Sequence, residues 1–259
     1  MTPFEGHEFP QLIPTPEYVV AGREAPWARL DVASRRGITL EQVRTALGRD
    51  GRLFSQARPP DEPAEMGLVA DAEQALITRR SAVLAVLFEE AGEVRVVLTR
   101  RSFALRSHRG EIALPGGRSE PGESPEEAAL REAFEEIGLD PGSVSIVGWL
   151  TPIVTFASGS AIQPVIGFVD GRPSLHANPD EVERIFDVAL ADLLAEGNFL
   201  EQRWRRDTPR PGADADGSFP IYFFRVPGEV VWGATGRVLT ELLAVVTGTT
   251  DAMARGRLA

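Results

Sequence analysis

The segment from Leu114 to Leu139 contains a glycine-rich turn followed by a predicted helix. Residues typical of helix ends stand at both ends of this helix. The turn reads Leu-Pro-Gly-Gly, and the helix opens at Ser124, whose side chain can cap the first backbone N–H groups. A proline follows at the first helical position, and Glu127 completes a capping box with Ser124. Gly138 can supply the left-handed conformation that ends many helices. The sequence therefore predicts a helix over Pro125–Ile137, placed directly after a tight turn.

Apolar and acidic side chains lie on different faces of this predicted helix. At about 100° per residue, Leu130, Phe134 and Ile137 share one face, which predicts contact with a core. The opposite face carries three carboxylates, those of Glu132, Glu135 and Glu136. Like charges three or four residues apart destabilise a helix by roughly 0.2–0.5 kcal/mol per pair, so this face needs solvent or a cation. A solvated acidic face is the ordinary interpretation, and a cation site is the alternative.

Strands and helices intermingle along the rest of the chain. Residues 82–88 and 94–99 are rich in β-branched side chains, and Gly92 between them can take a positive φ, which predicts a hairpin. Further strands are predicted at 144–150, 163–169 and 222–226, and further helices at 39–47, 188–195 and 235–246. This mixture favours an α/β fold in which a mixed β-sheet is covered by helices.

The first 75 residues differ in proline content and in apolar patterning from the residues that follow. Proline is frequent there and periodic apolar patterns are weak, whereas dense apolar runs begin near residue 82. We predict a partly irregular N-terminal extension over 1–75, a compact domain over 76–250 and a C-terminal tail over 251–259. The polar segment 61–71 is typical of a linker.

Composition excludes several classes of function. The chain has 259 residues with 27 Lys and Arg against 38 Asp and Glu, a formal charge of −11. Binding of nucleic acid by counterion release needs a dense basic face, so no nucleic-acid partner is expected. The absence of cysteine excludes disulfides, thiolate metal sites and cysteine nucleophiles. No stretch approaches the roughly 20 apolar residues of a membrane span and no signal-peptide pattern opens the chain, so we expect a cytoplasmic protein with no membrane partner.

The turn and the helix together match a longer pattern. Gly117 is followed after five residues by Glu123, and after seven more by the run Arg-Glu-Ala-Phe-Glu-Glu-Ile-Gly-Leu that starts at Arg131. This is the Nudix box, G-x5-E-x7-R-E-U-x-E-E-x-G-U, where U is apolar. Ala133 is the one soft match, because it is a small residue at a position where a larger aliphatic residue is common. The chain therefore resembles the Nudix hydrolases. The resemblance implies a Nudix-type α/β/α sandwich built on a mixed β-sheet.

The resemblance also implies a metal-dependent reaction. It assigns Mg²⁺ or Mn²⁺ to the carboxylates of Glu132, Glu135 and Glu136, with Arg131 as an orienting salt-bridge partner in the catalytic set. Oxygen ligands of this kind suit Mg²⁺, and such a cation polarises phosphoryl oxygens and acidifies a bound water. The resemblance makes Glu123 a candidate further ligand. It places the Gly116-Gly117 backbone against the substrate and the metal, where a Cβ would hinder approach.

A second motif precedes the Nudix box. Leu98-Thr99-Arg100-Arg101-Ser102 is followed at the expected spacings by Arg106, Gly110 and the Leu-Pro-Gly-Gly turn. This run resembles the signature L-T-x-R-S-x3-R-x3-G-x3-(F/L)-P-G-G of the coenzyme A pyrophosphatase branch of the Nudix family. Arg101 and Arg106 fill its positions and are the candidate substrate-binding residues, because a guanidinium can donate to phosphate in a fork. Arg100, Arg109 and His108 complete a predicted basic island.

The leading hypothesis is hydrolysis of the pyrophosphate of coenzyme A or its derivatives to adenosine 3′,5′-bisphosphate and 4′-phosphopantetheine. Two alternatives stay open: a Nudix pyrophosphatase for another nucleoside diphosphate derivative, such as ADP-ribose or a dinucleotide, and a non-catalytic Nudix-fold binding module. Glu181 is a candidate base or further ligand in a later loop. The expected partner is a small nucleotide-type molecule like coenzyme A, and a second copy of the chain, in a homodimer, is a further candidate.

Overall fold

The computed structural model describes residues 11, 13–14, 16–49, 52, 79–155, 160–205 and 216–254. Its strands form two sheets, one of eight strands and one of four. Within these residues no helix is both long and apolar enough to cross a bilayer. The predicted linker at 61–71 and the predicted boundary at residue 75 lie outside the described residues.

The larger sheet is mixed, which confirms the predicted α/β fold class. Its central strands β2 and β8 run parallel, whereas its other pairs are antiparallel. The predicted hairpin joins β2 and β3 through Ala91 and Gly92, whose φ angles of 53° and 78° are both positive. The eight strands are β2 (Arg79–Glu90), β3 (Glu93–Arg101), β4 (Ile112–Ala113), β5 (Gly116–Arg118), β6 (Ser145–Trp149), β7 (Ile153–Thr155), β8 (Ser160–Phe168) and β9 (Val182–Ala189).

Helices cover both faces of this sheet. The helices are α1 (Val32–Arg36), α2 (Leu40–Arg49), α3 (Pro125–Ile137), α4 (Leu190–Leu193), α5 (Gly233–Thr247) and α6 (Thr250–Ala254). Successive side chains of a strand point to opposite faces. Leu84 and Val86 of β2 therefore pack with α3, whereas Ala85 and Leu87 pack with α2 and α5. The result is three layers, with the sheet between α3 and the α2–α5 pair.

The smaller sheet joins the beginning of the described chain to its end. Its order is β1 (Tyr18–Ala21), β10 (Phe199–Arg205), β11 (Ser218–Val226) and β12 (Glu229–Trp232), all antiparallel. Trp27, only 1% exposed, packs in the same apolar cluster as Val43 of α2 and Leu242 of α5. Described parts of the first 75 residues thus contribute to the main core, while the division of the chain at residue 75 stays a prediction.

One predicted helix is shorter than expected and begins within a strand. The segment predicted as a helix over 188–195 begins in β9, and only Leu190–Leu193 is helical. Val188 and Ala189 instead pair with Val96 and Arg95 of β3. Pairing of this strand across the sheet outweighs the weak helix propensity of so short a segment.

Candidate active site

Helix α3, which carries Glu132, Glu135 and Glu136, is held at both ends by its own sequence. The Ser124 side chain accepts from the Glu127 N–H at 3.2 Å, and the Glu127 carboxylate accepts from the Ser124 N–H at 2.9 Å. At the other end Gly138 has φ 66° and its N–H donates to Phe134 O at 2.9 Å. This capping satisfies orphan backbone groups and fixes which residues begin and end the helix. We refer to the three glutamates as the acidic cluster.

The buried face of α3 matches the predicted one only in part. Phe134, predicted to face the core, is 56% exposed, whereas Glu136, predicted on the outer face, is 3% exposed. The face turned to the sheet consists of small residues flanked by one large one, namely Ala128, Ala129, Ala133 and Ile137. Small side chains let the helix lie close to β2, so the alanine face is buried together with Ile137, while Leu130 is partly buried and Phe134 is left exposed. Glu136 lies at the edge of that face and is carried inward with it.

Glu136 is the most deeply buried member of the acidic cluster. Its Oε2 accepts from the Gly116 N–H at 3.0 Å, and its Oε1 lies 3.5 Å from Arg101 Nη1. Burial raises the pKa of Glu136 to about 7, and the nearby carboxylates of Glu181 and Glu132 act in the same direction. The Gly116 N–H and Arg101 oppose that shift without cancelling it. The carboxylate therefore lies in a place that favours an additional positive charge.

Arg131 organises the outer part of the acidic cluster. Its Nε and Nη2 donate to the two oxygens of Glu123 at 2.8 and 3.0 Å, and its Nη1 donates to Glu132 at 2.9 Å and Glu135 at 3.1 Å. Nη2 also donates to the Arg118 carbonyl at 2.9 Å. These contacts, led by Glu123, raise the pKa of Arg131 and lower that of Glu123. The Arg131 guanidinium thus links Glu123, in the first part of the Nudix box, to Glu132 and Glu135 in its last part.

The backbone at Gly116 and at Gly117 lies so close to neighbouring atoms that neither position has room for a Cβ. A Cβ at Gly117 would lie 2.5 Å from the carboxylate carbon of Glu132. A Cβ at Gly116 would lie 2.3 Å from the Ala82 carbonyl oxygen, and its φ of 149° also disfavours other residues. Gly116 is therefore needed for the turn to lie against β2, and Gly117 for the Glu132 carboxylate to lie against the turn.

Residues 101–111 form a loop that we call the basic loop. Its stem is closed by the Arg101 N–H donating to Glu111 O at 3.0 Å and the Gly110 N–H donating to Arg101 O at 3.1 Å. Arg101 is directed at Glu136, while Arg106 is exposed and makes no ion pair with any residue in the described part of the chain. His108 Nδ1 lies 2.9 Å from a Glu111 carboxylate oxygen, which raises the pKa of His108.

Arg100 does not belong to the predicted basic island. Alternation along β3 sends it to the opposite face of the sheet from Arg101, where it pairs with the fully buried Glu229 of β12. Arg184 approaches the same carboxylate at 3.9 Å. Sequence reasoning overlooked Glu229, because no local pattern marks an acidic residue whose partners come from distant strands.

Glu181 directly precedes β9. Its carbonyl accepts from the Ser102 N–H at 2.8 Å, which attaches its loop to the stem of the basic loop. Its negative charge raises the pKa of both Glu132 and Glu136. A β-bulge opposite Arg100 and Arg101, at Glu183, bends β9 at this point. The structure therefore attaches the loop that carries the sequence candidate Glu181 to the basic loop.

The donor set fits a hard divalent cation, although it is not gathered around one point. Among the described residues, no group of three His, Asp or Glu side chains stands close enough to hold a metal ion as placed. Arg131 engages Glu132 and Glu135, while Gly116 and Arg101 engage Glu136. The ligands available are all oxygens, and burial raises the pKa of Glu132 as well as that of Glu136. Such crowded carboxylates are the ligands that Mg²⁺ or Mn²⁺ would stabilise.

The fold and this site together define a three-layer α/β protein with an acidic helix beside a basic loop. Residues 78–207 match the family model of the NUDIX domain, and the chain belongs to the Nudix family. It is 34% identical over 174 residues to Nudix hydrolase 3 of Caenorhabditis elegans, covering 63% of this chain and 72% of that protein. It is 35% identical over 148 residues to the uncharacterized Nudix hydrolase NudL of Photorhabdus laumondii, covering 57% and 74%. Mitochondrial Nudix hydrolase 15 of Arabidopsis thaliana is 33% identical over 211 residues, covering 79% and 70%.

Family membership settles the class of reaction. The protein is a hydrolase that acts on pyrophosphate bonds of nucleoside diphosphate derivatives. Nudix hydrolases generally use divalent metal ions, in agreement with the oxygen ligands present here. The Nudix box and the fold class inferred from the sequence are confirmed.

Proposed function

We propose that this protein hydrolyses the pyrophosphate of coenzyme A or of its derivatives. Water would cleave one P–O bond of the diphosphate, giving adenosine 3′,5′-bisphosphate and 4′-phosphopantetheine or its acyl form. The observation that carries this proposal is the 3.5 Å approach of Arg101 Nη1 to Glu136 Oε1. It joins the segment that resembles the coenzyme A pyrophosphatase signature to the helix of the Nudix box.

Glu132, Glu135 and Glu136 would hold Mg²⁺ or Mn²⁺ in this proposal. When bound, the cation supplies polarisation of phosphoryl oxygens and a more acidic water. Arg131 keeps its neighbours Glu132 and Glu135 oriented through hydrogen bonds of 2.9 and 3.1 Å. The Gly116 N–H positions Glu136 by donating to its Oε2. Glu181, whose negative charge acts on Glu132 and Glu136, is a candidate to accept a proton from water.

The arginines of the basic loop supply charge that a coenzyme A substrate requires. Its adenosine carries a 3′-phosphate in addition to the diphosphate, so more negative charge reaches the site than with ADP-ribose. Arg101 is partly buried beside Glu136 and suits the diphosphate. Arg106 is exposed and has no ion-pair partner among the described residues, which leaves its guanidinium available for a further phosphate.

A substrate screen tests the proposal. Purified protein with Mg²⁺ is assayed against coenzyme A, 3′-dephospho-coenzyme A, ADP-ribose, NADH and diadenosine polyphosphates, with products identified by mass. We expect the highest kcat/KM for coenzyme A. A charge-assisted contact to the 3′-phosphate is worth roughly 1.5–3 kcal/mol, or about ten- to a hundredfold over the dephospho substrate. Preference for ADP-ribose or a dinucleotide would replace the proposal by the alternative pyrophosphatase, and no turnover of any substrate would favour a binding module.

A substitution locates the contact. Arg106→Ala should bring the ratio between coenzyme A and its dephospho form toward unity while leaving the dephospho substrate nearly unaffected. Arg36→Ala, which removes an exposed arginine of α1, is the matched control. An equal loss on both substrates would mean that Arg106 neutralises the diphosphate and does not recognise the 3′-phosphate.

A further inference from the structure

Phe103 is an exposed aromatic side chain in the basic loop. It is 43% exposed and belongs to none of the apolar clusters formed by the described residues. No other aromatic ring in the described ranges stacks on it. Isolated exposed apolar side chains are common on protein surfaces, so the position of Phe103 is what gives its exposure a meaning.

The ring of Phe103 is seated on Gly110. A Cβ at Gly110 would lie 2.5 Å from Cε1 and 2.7 Å from Cζ of Phe103, and Gly110 has φ 66°. Any other residue at 110 would therefore displace the ring and strain the backbone. Gly110 also donates its N–H to the Arg101 carbonyl, so the residue against which the ring packs belongs to the closed stem of the loop. The loop holds an aromatic ring in a defined place without burying it.

Phe103 lies in the same loop as the two arginines that are candidates for binding phosphate. Arg101 and Arg106 lie two residues before it and three residues after it. Ser102, its direct neighbour, donates its N–H to the Glu181 carbonyl at 2.8 Å, and Arg101 Nη1 lies 3.5 Å from Glu136 Oε1, so the loop is attached to the site at residues next to Phe103. A planar apolar surface in the same loop as guanidinium groups can take a nucleobase, because every base has a π-face and stacking tolerates its identity.

We propose that Phe103, seated on Gly110, is the platform on which the base of the nucleotide part of the substrate stacks. The inference rests on the proposed function in that a nucleotide must reach the basic loop, and it adds the group that recognises the base. Arg101 and Arg106 contact phosphates, whereas Phe103 contacts the base and contributes to affinity without touching the reacting atoms. Since stacking does not read base edges, adenine and guanine should be bound alike.

Direct binding by calorimetry tests the platform independently of turnover. ADP, GDP and inorganic pyrophosphate are titrated with Mg²⁺ into wild type, Phe103→Leu and Phe103→Trp. Leucine can still cover Gly110 but has no aromatic face, so we expect Kd for ADP and GDP to rise about tenfold and Kd for pyrophosphate to change less than twofold. Tryptophan should keep wild-type affinity for both nucleotides. Tyr18→Ala, at a ring that is 46% exposed on β1, is the control and should leave all three Kd values unchanged.

Kinetics separate this role from a structural one. With the best substrate from the screen, Phe103→Leu should raise KM about tenfold and leave kcat within twofold, and Gly110→Ala should raise KM in the same way. The platform is overturned if Phe103→Leu binds ADP as wild type does, if it weakens pyrophosphate equally, or if wild type binds ADP no more tightly than pyrophosphate. If the nucleotide results hold but coenzyme A is not cleaved, the proposed substrate fails and the platform stands.

Discussion

Gly116 and Glu136, twenty residues apart, are joined by a hydrogen bond of 3.0 Å from the backbone N–H to Oε2. This bond ties the glycine turn to the inward edge of α3. The other oxygen of the same carboxylate faces Arg101 of the basic loop. The turn and helix of the Nudix box and the basic loop of the preceding motif therefore meet at one buried side chain.

The first prediction concerns Glu136. Glu136→Gln should lower kcat by more than tenfold, because a hard anionic ligand is lost, while the amide oxygen can still accept from Gly116. The free energy of unfolding should change little, since the substitution removes a buried charge and keeps the volume. Rates at saturating Mg²⁺ and substrate are measured beside urea denaturation. Retention of more than about a tenth of kcat, a barrier change below roughly 1.4 kcal/mol, would contradict the ligand role.

The second prediction distinguishes the two glycines. At Gly117 the added methyl group meets the end of a flexible side chain, so Gly117→Ala should displace Glu132 and lower kcat with a small effect on stability. At Gly116 it meets the backbone of β2 at a φ that disfavours alanine, so Gly116→Ala should destabilise the fold itself by more than 1 kcal/mol. Unfolding curves and kcat of both variants are compared. Equal loss of stability would contradict this account.

The third prediction is a pH dependence in the basic loop. The hydrogen bond to Glu111 raises the pKa of His108 above its usual 6.5, although partial burial opposes the shift. Because the pKa of His108 is higher in the folded state than in the unfolded state, protonation of His108 stabilises the fold. This stabilisation is fully present at pH values below the unfolded-state pKa and is lost as pH rises through the folded-state pKa. NMR titration of the His108 ring should show a lower pKa in Glu111→Gln. The variant should also be less stable than wild type at pH 5.5 by under about 1 kcal/mol, and nearly equal to it at pH 8.5. An unchanged His108 pKa would reject the pair.

The fourth prediction tests the contribution of the early residues to the core. Trp27 contacts Phe199 and Phe224, with ring centroids 5.2 and 6.2 Å away. Trp27→Ala should therefore cost about 3–5 kcal/mol of unfolding free energy. Val32→Ala, at a side chain that is 61% exposed, should change it by less than about 0.5 kcal/mol. Equal, small effects would mean that the described part of the first 75 residues packs independently of the main core.

Several local features could be read from the sequence because neighbours along the chain determine them. Ser124, Glu127 and Gly138 interact within one turn of a helix end, so the bounds of α3 were predicted as observed. The hairpin at Gly92 follows from the same short-range logic. Residue spacing in the Nudix box was likewise sufficient to identify the family.

Tertiary structure decided which side chains these elements bury. A helical wheel gives relative angles but not the angle at which the sheet lies, so it placed Phe134 inside and Glu136 outside, the reverse of what the structure has. That angle depends on how closely Ala129 and Ala133 approach β2, which is a property of the packed layers. The separation of Arg100 from Arg101, and the burial of Glu229 between strands far apart in sequence, were hidden for the same reason. The sequence by itself determined the chemical groups of the site and their order, whereas packing between distant elements determined which of them face one another.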